Sequence, residues 1–281
     1  MCRRMNDAVN FHNQLREEGF YRTGGNPPKL HLPSLFATPI FGLMMLDAFI
    51  RAYKHSKRPS FMEKEWAAFG FRVMRMAERI GGRITFEGFE GVESDKPVVW
   101  AANHISSLET YILPPALAAW SPRIIIVLKE SLAHYPLFGS VVRAVHPIRL
   151  LRQNPIEDLR KVLNDGVAAL KEGRSALIFP QGARYRTFDP KTFNSMAAKL
   201  AIKADVPLRP IATSTDFLRI GKLHRDATMT VHPSSPIRFA CGPVLPPSLG
   251  QAELQKRSIE FITAKLAEWQ QTDKRQLLLT E

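Results

Sequence analysis

Residues 100 to 111, WAANHISSLETY, set an asparagine and a histidine directly after an apolar run, with a glutamate five positions past the histidine. His104 and Glu109 are the types that proton transfer needs: an imidazole that titrates near working pH, and a carboxylate that orients it and offsets its cation. On one continuous helix, five positions would hold the two side chains about 140° apart, unable to face a common point. At least one of them therefore lies off the helix. KPVVWAA before them reads as a short buried strand, and Ser106 or Ser107 as an N-cap. His104 then falls in the strand-to-helix loop and Glu109 in the first helical turn, from which the carboxylate can reach back to the imidazole. Taken alone, a histidine with an acid five residues on is more often structural, so the rest of the chain has to decide.

The elements that must hold this pair change character along the sequence. The first 80 residues read as largely helical, with Ser60 and Glu63 as a capping box opening a helix that runs to Gly81 and Gly82. From Arg83 onward short runs rich in Ile, Val and Phe appear: RITFEGFE, PVVWAA, RIIIVLK, HPIRLL, SALIFP, LRPIAT, ATMTVH and IRFAC. Helical segments alternate with several of them. The clearest spans Pro155 to Leu170, with Asn154 as N-cap and apolar residues at 159, 162, 163, 167 and 170. A last helix is expected over about 251 to 270. The pattern predicts an α/β fold with a mixed, mostly parallel sheet covered by helices. It divides the chain into a helical, membrane-associating region at 1–82 and an α/β domain at 83–281.

Of 281 residues, 45% are hydrophobic and 23% charged, ordinary for one large domain with an appendage, and Lys plus Arg exceed Asp plus Glu by 39 − 26 = 13. That balance suits a polyanion or an anionic membrane surface. The positives are scattered with no recognition motif, so nucleic acid is not an expected partner. Cys2 and Cys241 are the only cysteines and fit neither a disulfide framework nor a zinc site. No cleavable signal peptide is visible, and a membrane-associated protein on the cytoplasmic face is expected, the inner membrane if the cell is bacterial. Residues 35 to 50, LFATPIFGLMMLDAFI, contain Pro39 and Asp47 and fall short of the roughly 20 apolar residues of a span. With Arg51, Lys54, Lys57 and Arg58 following, the segment reads as a helix lying in the headgroup region; a buried core helix is the alternative.

Gly-rich phosphate loops, GxGxxG, HExxH and GxSxG are all absent. What remains near predicted strand ends is NHISSLE, the basic segment HPIRLLRQN at 146–154, FPQGAR at 179–184 and VPLRPIA at 206–212. Ligand sites of open α/β sheets collect at such ends. These four blocks, in this order and spacing and with KESLAHYPLFG leading into the second, resemble the glycerophospholipid O-acyltransferase family over about residues 83 to 245. NHISSLE is similar to its Asn-His-x4-Asp motif, with Glu109 where Asp is usual. FPQGAR is similar to Phe-Pro-Glu-Gly-Thr-Arg, Gln181 and Ala183 being departures.

The resemblance implies His104 as general base and Glu109 as its partner. It implies substrate contacts from Asn103, Arg152, Gln181, Gly182 and Arg184, with Arg184 and Arg152 toward an acceptor phosphate. Gln181, a neutral amide where the family has a carboxylate, should make that pocket more electropositive. The function implied is transfer of a fatty acyl group from acyl-CoA or acyl carrier protein, as substrate, to the hydroxyl of a lysophospholipid such as 1-acylglycerol-3-phosphate. No cofactor or metal is expected. Two other readings stay open: a lipid A-type acyltransferase, which also looks built on His-x4-Glu, and a catalytically silent membrane-binding relative.

Overall fold

The computed structural model describes residues 2–24, 34–58, 65–93, 96–121, 123–220 and 229–278. The elements in chain order are α1 (Cys2–Glu18), β1 (Tyr21–Arg22), α2 (Ser34–His55), α3 (Glu65–Arg79), β2 (Ile84–Glu87), β3 (Val99–Ala102), α4 (Leu108–Leu117), β4 (Ile124–Lys129), α5 (Phe138–Ala144) and β5 (Ile148–Leu150). They continue with α6 (Pro155–Lys171), β6 (Ser175–Ile178), α7 (Met196–Ala204), β7 (Leu208–Ser214), β8 (Leu218–Ile220), β9 (Met229–Val231), β10 (Ile237–Cys241) and α8 (Gln251–Leu278). One sheet runs in the order β1-β2-β10-β7-β3-β6-β4-β5. Strands β7, β3, β6, β4 and β5 are mutually parallel, while β10 joins β7 antiparallel and β1 joins β2 antiparallel. The mixed, mostly parallel sheet expected from the sequence is therefore present.

Strand β3 shows why two layers of helices are needed. Its four residues are all buried, and its side chains alternate between two apolar layers. Trp100 and Ala102 enter the layer shared with Phe11 and Leu15 of α1, Phe41 of α2 and Val73 of α3. Val99 and Ala101 enter the layer shared with Val162 of α6, Leu200 of α7 and Ile262 of α8. Helix α6 starts as expected, the Asn154 side chain accepting from Ile156 N and Glu157 N.

The sequence pattern changes at residue 83, but the core does not break there. Strand β1 completes one edge of the sheet, and α1 and α3 bury apolar faces on it. Tyr21 Oη and Thr23 Oγ1 both donate to the buried Glu78 carboxylate at 2.8 Å, tying β1 to α3. Strands β1 and β8, each too short to show a pattern, were not anticipated; β8 and β9, the latter expected within ATMTVH, form a separate antiparallel pair. The capping box at Ser60 and Glu63 lies outside the described residues. Helix α8 runs on to Leu278, beyond the expected end.

Helix α2 also differs from its expectation. It has 22 residues, longer than the apolar run, because the basic flank through His55 stays helical. By length and composition alone Leu35–His55 could cross a membrane. One face is nonetheless already occupied: Ala37, Phe41, Met45, Ala48 and Ala52 are buried in the core, and Thr38 Oγ1 accepts from Val231 N of β9 at 2.9 Å. Leu35, Phe36, Leu43 and Leu46 lie exposed on the other side.

Candidate active site

The carboxyl ends of β3, β6 and β5 lead into NHISSLE, FPQGAR and Arg152, whereas VPLRPIA enters and fills most of β7; because these strands are parallel, their carboxyl ends meet at one edge. His104 is the second residue past β3, and α4 begins at Leu108, so Glu109 stands in its first turn, as the helical geometry required. His104 Nδ1 lies 2.9 Å from Glu109 Oε1. A carboxylate only accepts here, so Nδ1 carries the proton and Nε2 keeps its lone pair. The His104 ring stacks on Phe179 at 4.5 Å between centroids and is 15% exposed.

Glu109 is completely buried and saturated with donors. Oε1 also accepts from Ile105 N at 2.6 Å and Ser106 N at 2.7 Å; Oε2 accepts from Ser106 Oγ at 2.9 Å and Thr215 Oγ1 at 2.6 Å. Burial pushes this carboxyl up, but the bonds from His104, Thr215 and the local amides outweigh it and hold it below the usual carboxylate range. Glu109 thus stays ionised and fixes the imidazole in one orientation.

The FPQGAR loop after β6 closes over this pair. Gln181 is buried, its Oε1 accepting from His104 N at 2.8 Å and its Nε2 reaching Thr192 Oγ1 at 3.4 Å. Tyr185 N donates to His104 O at 3.0 Å, so both backbone polar groups of His104 are held by this loop. Gly182, at φ 69°, places its carbonyl to accept from Arg152 Nη1, and a Cβ there would meet that same nitrogen at 3.2 Å. Arg152 sits at φ 59°, a conformation that costs a non-glycine residue about 1–2 kcal/mol. Arg184 Nη1 donates to Ser107 Oγ. One guanidinium, of Arg152, therefore reaches the loop that backs the imidazole, and a second, of Arg184, extends from that loop to the N-cap of α4.

Two of the expected substrate contacts are placed differently. Asn103 is fully buried and turned into the sheet: Nδ2 donates to Thr213 O at 3.0 Å and Oδ1 accepts from Thr213 N at 2.7 Å. Both ends of its amide are used in joining β3 to β7, so it holds the frame of the site and does not face the cleft. Gln181 likewise spends its amide on His104 N and Thr192, so its neutrality bears on the base's support more than on the Arg184 surroundings. Sequence reading missed Thr213, Thr215 and Phe179. The threonines alternate at the end of a buried strand, which places both on one face, and that spacing was the available signal. Among the described residues no three His, Cys, Asp or Glu side chains are grouped so as to hold a metal ion.

A mostly parallel sheet whose strand ends assemble a buried His-carboxylate pair beside two arginines suits acyl transfer, and residues 83–214, just under half of the chain, match the family described as Acyltransferase. Over 217 residues the chain is 28% identical to the 1-acyl-sn-glycerol-3-phosphate acyltransferase of Pseudomonas aeruginosa, an alignment covering 75% of this chain and 79% of the relative. It is 26% identical over 162 residues to the 1-acyl-sn-glycerol-3-phosphate acyltransferase of Cocos nucifera, with 57% of this chain covered and about half, 51%, of that one. The crystal structure of the 1-acyl-sn-glycerophosphate (LPA) acyltransferase, PlsC, from Thermotoga maritima superposes with a TM-score of 0.62 at 20% identity. It covers 84% of this chain and 96% of that one, which establishes a common fold.

Proposed function

We propose that this chain moves a fatty acyl group from acyl-CoA or acyl carrier protein to the free hydroxyl of 1-acylglycerol-3-phosphate, working at an anionic membrane surface on the cytoplasmic side. The observation that carries the reading is the His104–Glu109 pair at 2.9 Å with the carboxylate wholly buried, since an ionised, immobile acceptor on Nδ1 leaves Nε2 as a base. Nε2 takes the acceptor's hydroxyl proton as that oxygen attacks the thioester carbonyl. The tetrahedral oxyanion then collapses, the carbon–sulfur bond breaks, and the proton passes from the imidazolium to the departing thiolate. Arg152 and Arg184 are the groups for the acceptor's phosphate, a planar fork suiting bidentate contact. The relatives named above, both 1-acyl-sn-glycerol-3-phosphate acyltransferases, support the same acceptor.

The test is acyl transfer by purified protein, with both donor types and a panel of phosphate-bearing, zwitterionic and neutral lyso-acceptors. The expected result is highest kcat/KM with 1-acylglycerol-3-phosphate. Arg184→Ala should lower the ratio of kcat/KM for phosphate-bearing over phosphate-free acceptors by about tenfold or more. An unchanged ratio would remove the phosphate assignment, and absence of transfer from either donor to any acceptor would remove the function.

A further inference from the structure

Resting on the function just proposed, we infer that Ser107 is a positioning residue for Arg184, holding its guanidinium where the acceptor's phosphate arrives, and so sets the affinity for phosphate-bearing acceptors. Ser107 occupies the N-cap position of α4, where a serine ordinarily accepts from an amide of the first turn, yet its side chain makes no such bond. Ser106 Oγ accepts from Leu108 N of that turn at 3.0 Å instead, while Glu109 Oε1 reaches back to accept from Ile105 N and Ser106 N of the loop before it. Ser107 Oγ is thereby left to accept from Arg184 Nη1, across 77 residues of chain.

The backbone beneath that hydroxyl is itself fixed. Ser107 O accepts from Thr110 Oγ1 at 2.7 Å and Thr110 N at 3.2 Å. One turn on, on the same face of α4, the Tyr111 ring is wedged among Phe49 and Phe69 and Phe138 at 5.7, 6.3 and 6.3 Å between centroids. Burial raises the Tyr111 hydroxyl to about 12 while the charge of Arg184 pulls it the other way, which places that hydroxyl within the guanidinium's electrostatic reach. A long side chain that would otherwise spread over many rotamers is thus held at its tip from α4.

The consequence is geometric coupling. The same first turn of α4 carries Glu109, which orients the base, and Ser107, which holds the arginine for the phosphate. The distance between the base and the anchored headgroup is therefore set by one rigid turn, which is how a positioned acceptor hydroxyl gains reactivity.

The experiment measures steady-state kinetics of the full chain, with 1-acylglycerol-3-phosphate and monoacylglycerol as acceptors, for wild type, Ser107→Ala, Ser107→Thr, Arg184→Ala and the Ser107→Ala/Arg184→Ala double variant. Ser107→Ala should raise the KM for the phosphate-bearing acceptor about tenfold, as loss of one bond to a charged group implies. The donor KM, the monoacylglycerol KM and the Tm should stay near wild type. Ser107→Thr should restore the acceptor KM, and Ser107→Ala should add nothing in the Arg184→Ala background. Should the alanine variant not fold, the isosteric pair Ser107→Thr and Ser107→Val makes the same comparison. An unchanged acceptor KM, equal changes for both acceptors and the donor, or full additivity with Arg184→Ala would overturn this inference alone. Wild-type protein that acylates no acceptor would overturn it together with the function on which it rests.

Discussion

At the scale of single residues, the site separates chemistry from support. His104 is the only member of the pair with any exposure, 15%, and its ring is fixed by stacking on Phe179 and by the bond to Glu109. His104→Ala should therefore lower turnover by roughly 10² to 10⁴ with little change in Tm, as a lost general base implies; near wild-type turnover in a folded sample would remove the assignment. Glu109 has the opposite profile, because its five donors would be orphaned by its loss. Glu109→Asp should keep measurable activity and Glu109→Ala should lose most of it together with stability. The pH dependence follows from its depressed pKa. An unfolded glutamate titrates near about 4.3, and the folded carboxyl lies below the usual range. Its stabilisation is thus fully present above the unfolded value and is lost as pH falls through the folded one. The Tm gap between wild type and Glu109→Gln should be widest near neutral pH and should shrink on acidification below about pH 5. A gap constant down to pH 3 would mean that the carboxylate charge is not what the network holds.

At the scale of elements, α2 shows how one helix can serve two surroundings. Positions 37, 41, 45, 48 and 52 recur at helical spacing and are buried, whereas Leu35, Phe36, Leu43 and Leu46 occupy the opposite flank, Leu43 being 66% exposed. A helix with one face in the core and a hydrogen bond to β9 is suited to lying on a bilayer, with Arg51, Lys54 and Lys57 exposed at its basic end. On an anionic bilayer each such cation would add roughly 1 kcal/mol of attraction, Arg51 less than the lysines because it pairs with Asp47 at 2.8 Å. Leu43→Glu with Leu46→Glu should reduce flotation with anionic liposomes severalfold while leaving Tm within a few degrees, because neither side chain is buried. Phe41→Glu, on the inner face, should instead unfold the protein. Equal flotation of the double variant and wild type would detach α2 from membrane binding. Removing residues 1 to 58 would not answer the question, since it also strips part of the core.

At the scale of the whole molecule, the N-terminal segment is integral to the sheet. Phe11 and Leu15 are buried, and Tyr21 and Thr23 donate to Glu78, itself 2% exposed. Deleting residues 1 to 24 should cost more than about 4 kcal/mol in denaturant unfolding, because two large apolar side chains contribute roughly 1.5–3 kcal/mol each and Glu78 loses two of its partners. A loss under 1 kcal/mol would show that the α/β domain stands without them. By itself the sequence determined the α/β class, the strands that carry the site, the placing of His104 in a loop ahead of a helical Glu109, and the Asn154 cap of α6. Each of these is a local periodicity or a short-range spacing, which the backbone must obey wherever the segment lies. Only the tertiary structure decided that Asn103 and Gln181 brace the site from within and that Ser107 meets Arg184. It alone also joined Thr215 to Glu109 and β1 to β2. The side-chain pairings among these span 77, 106 and 110 residues of chain. Which side chain meets which across such separations depends on strand order and register, and no local propensity encodes either.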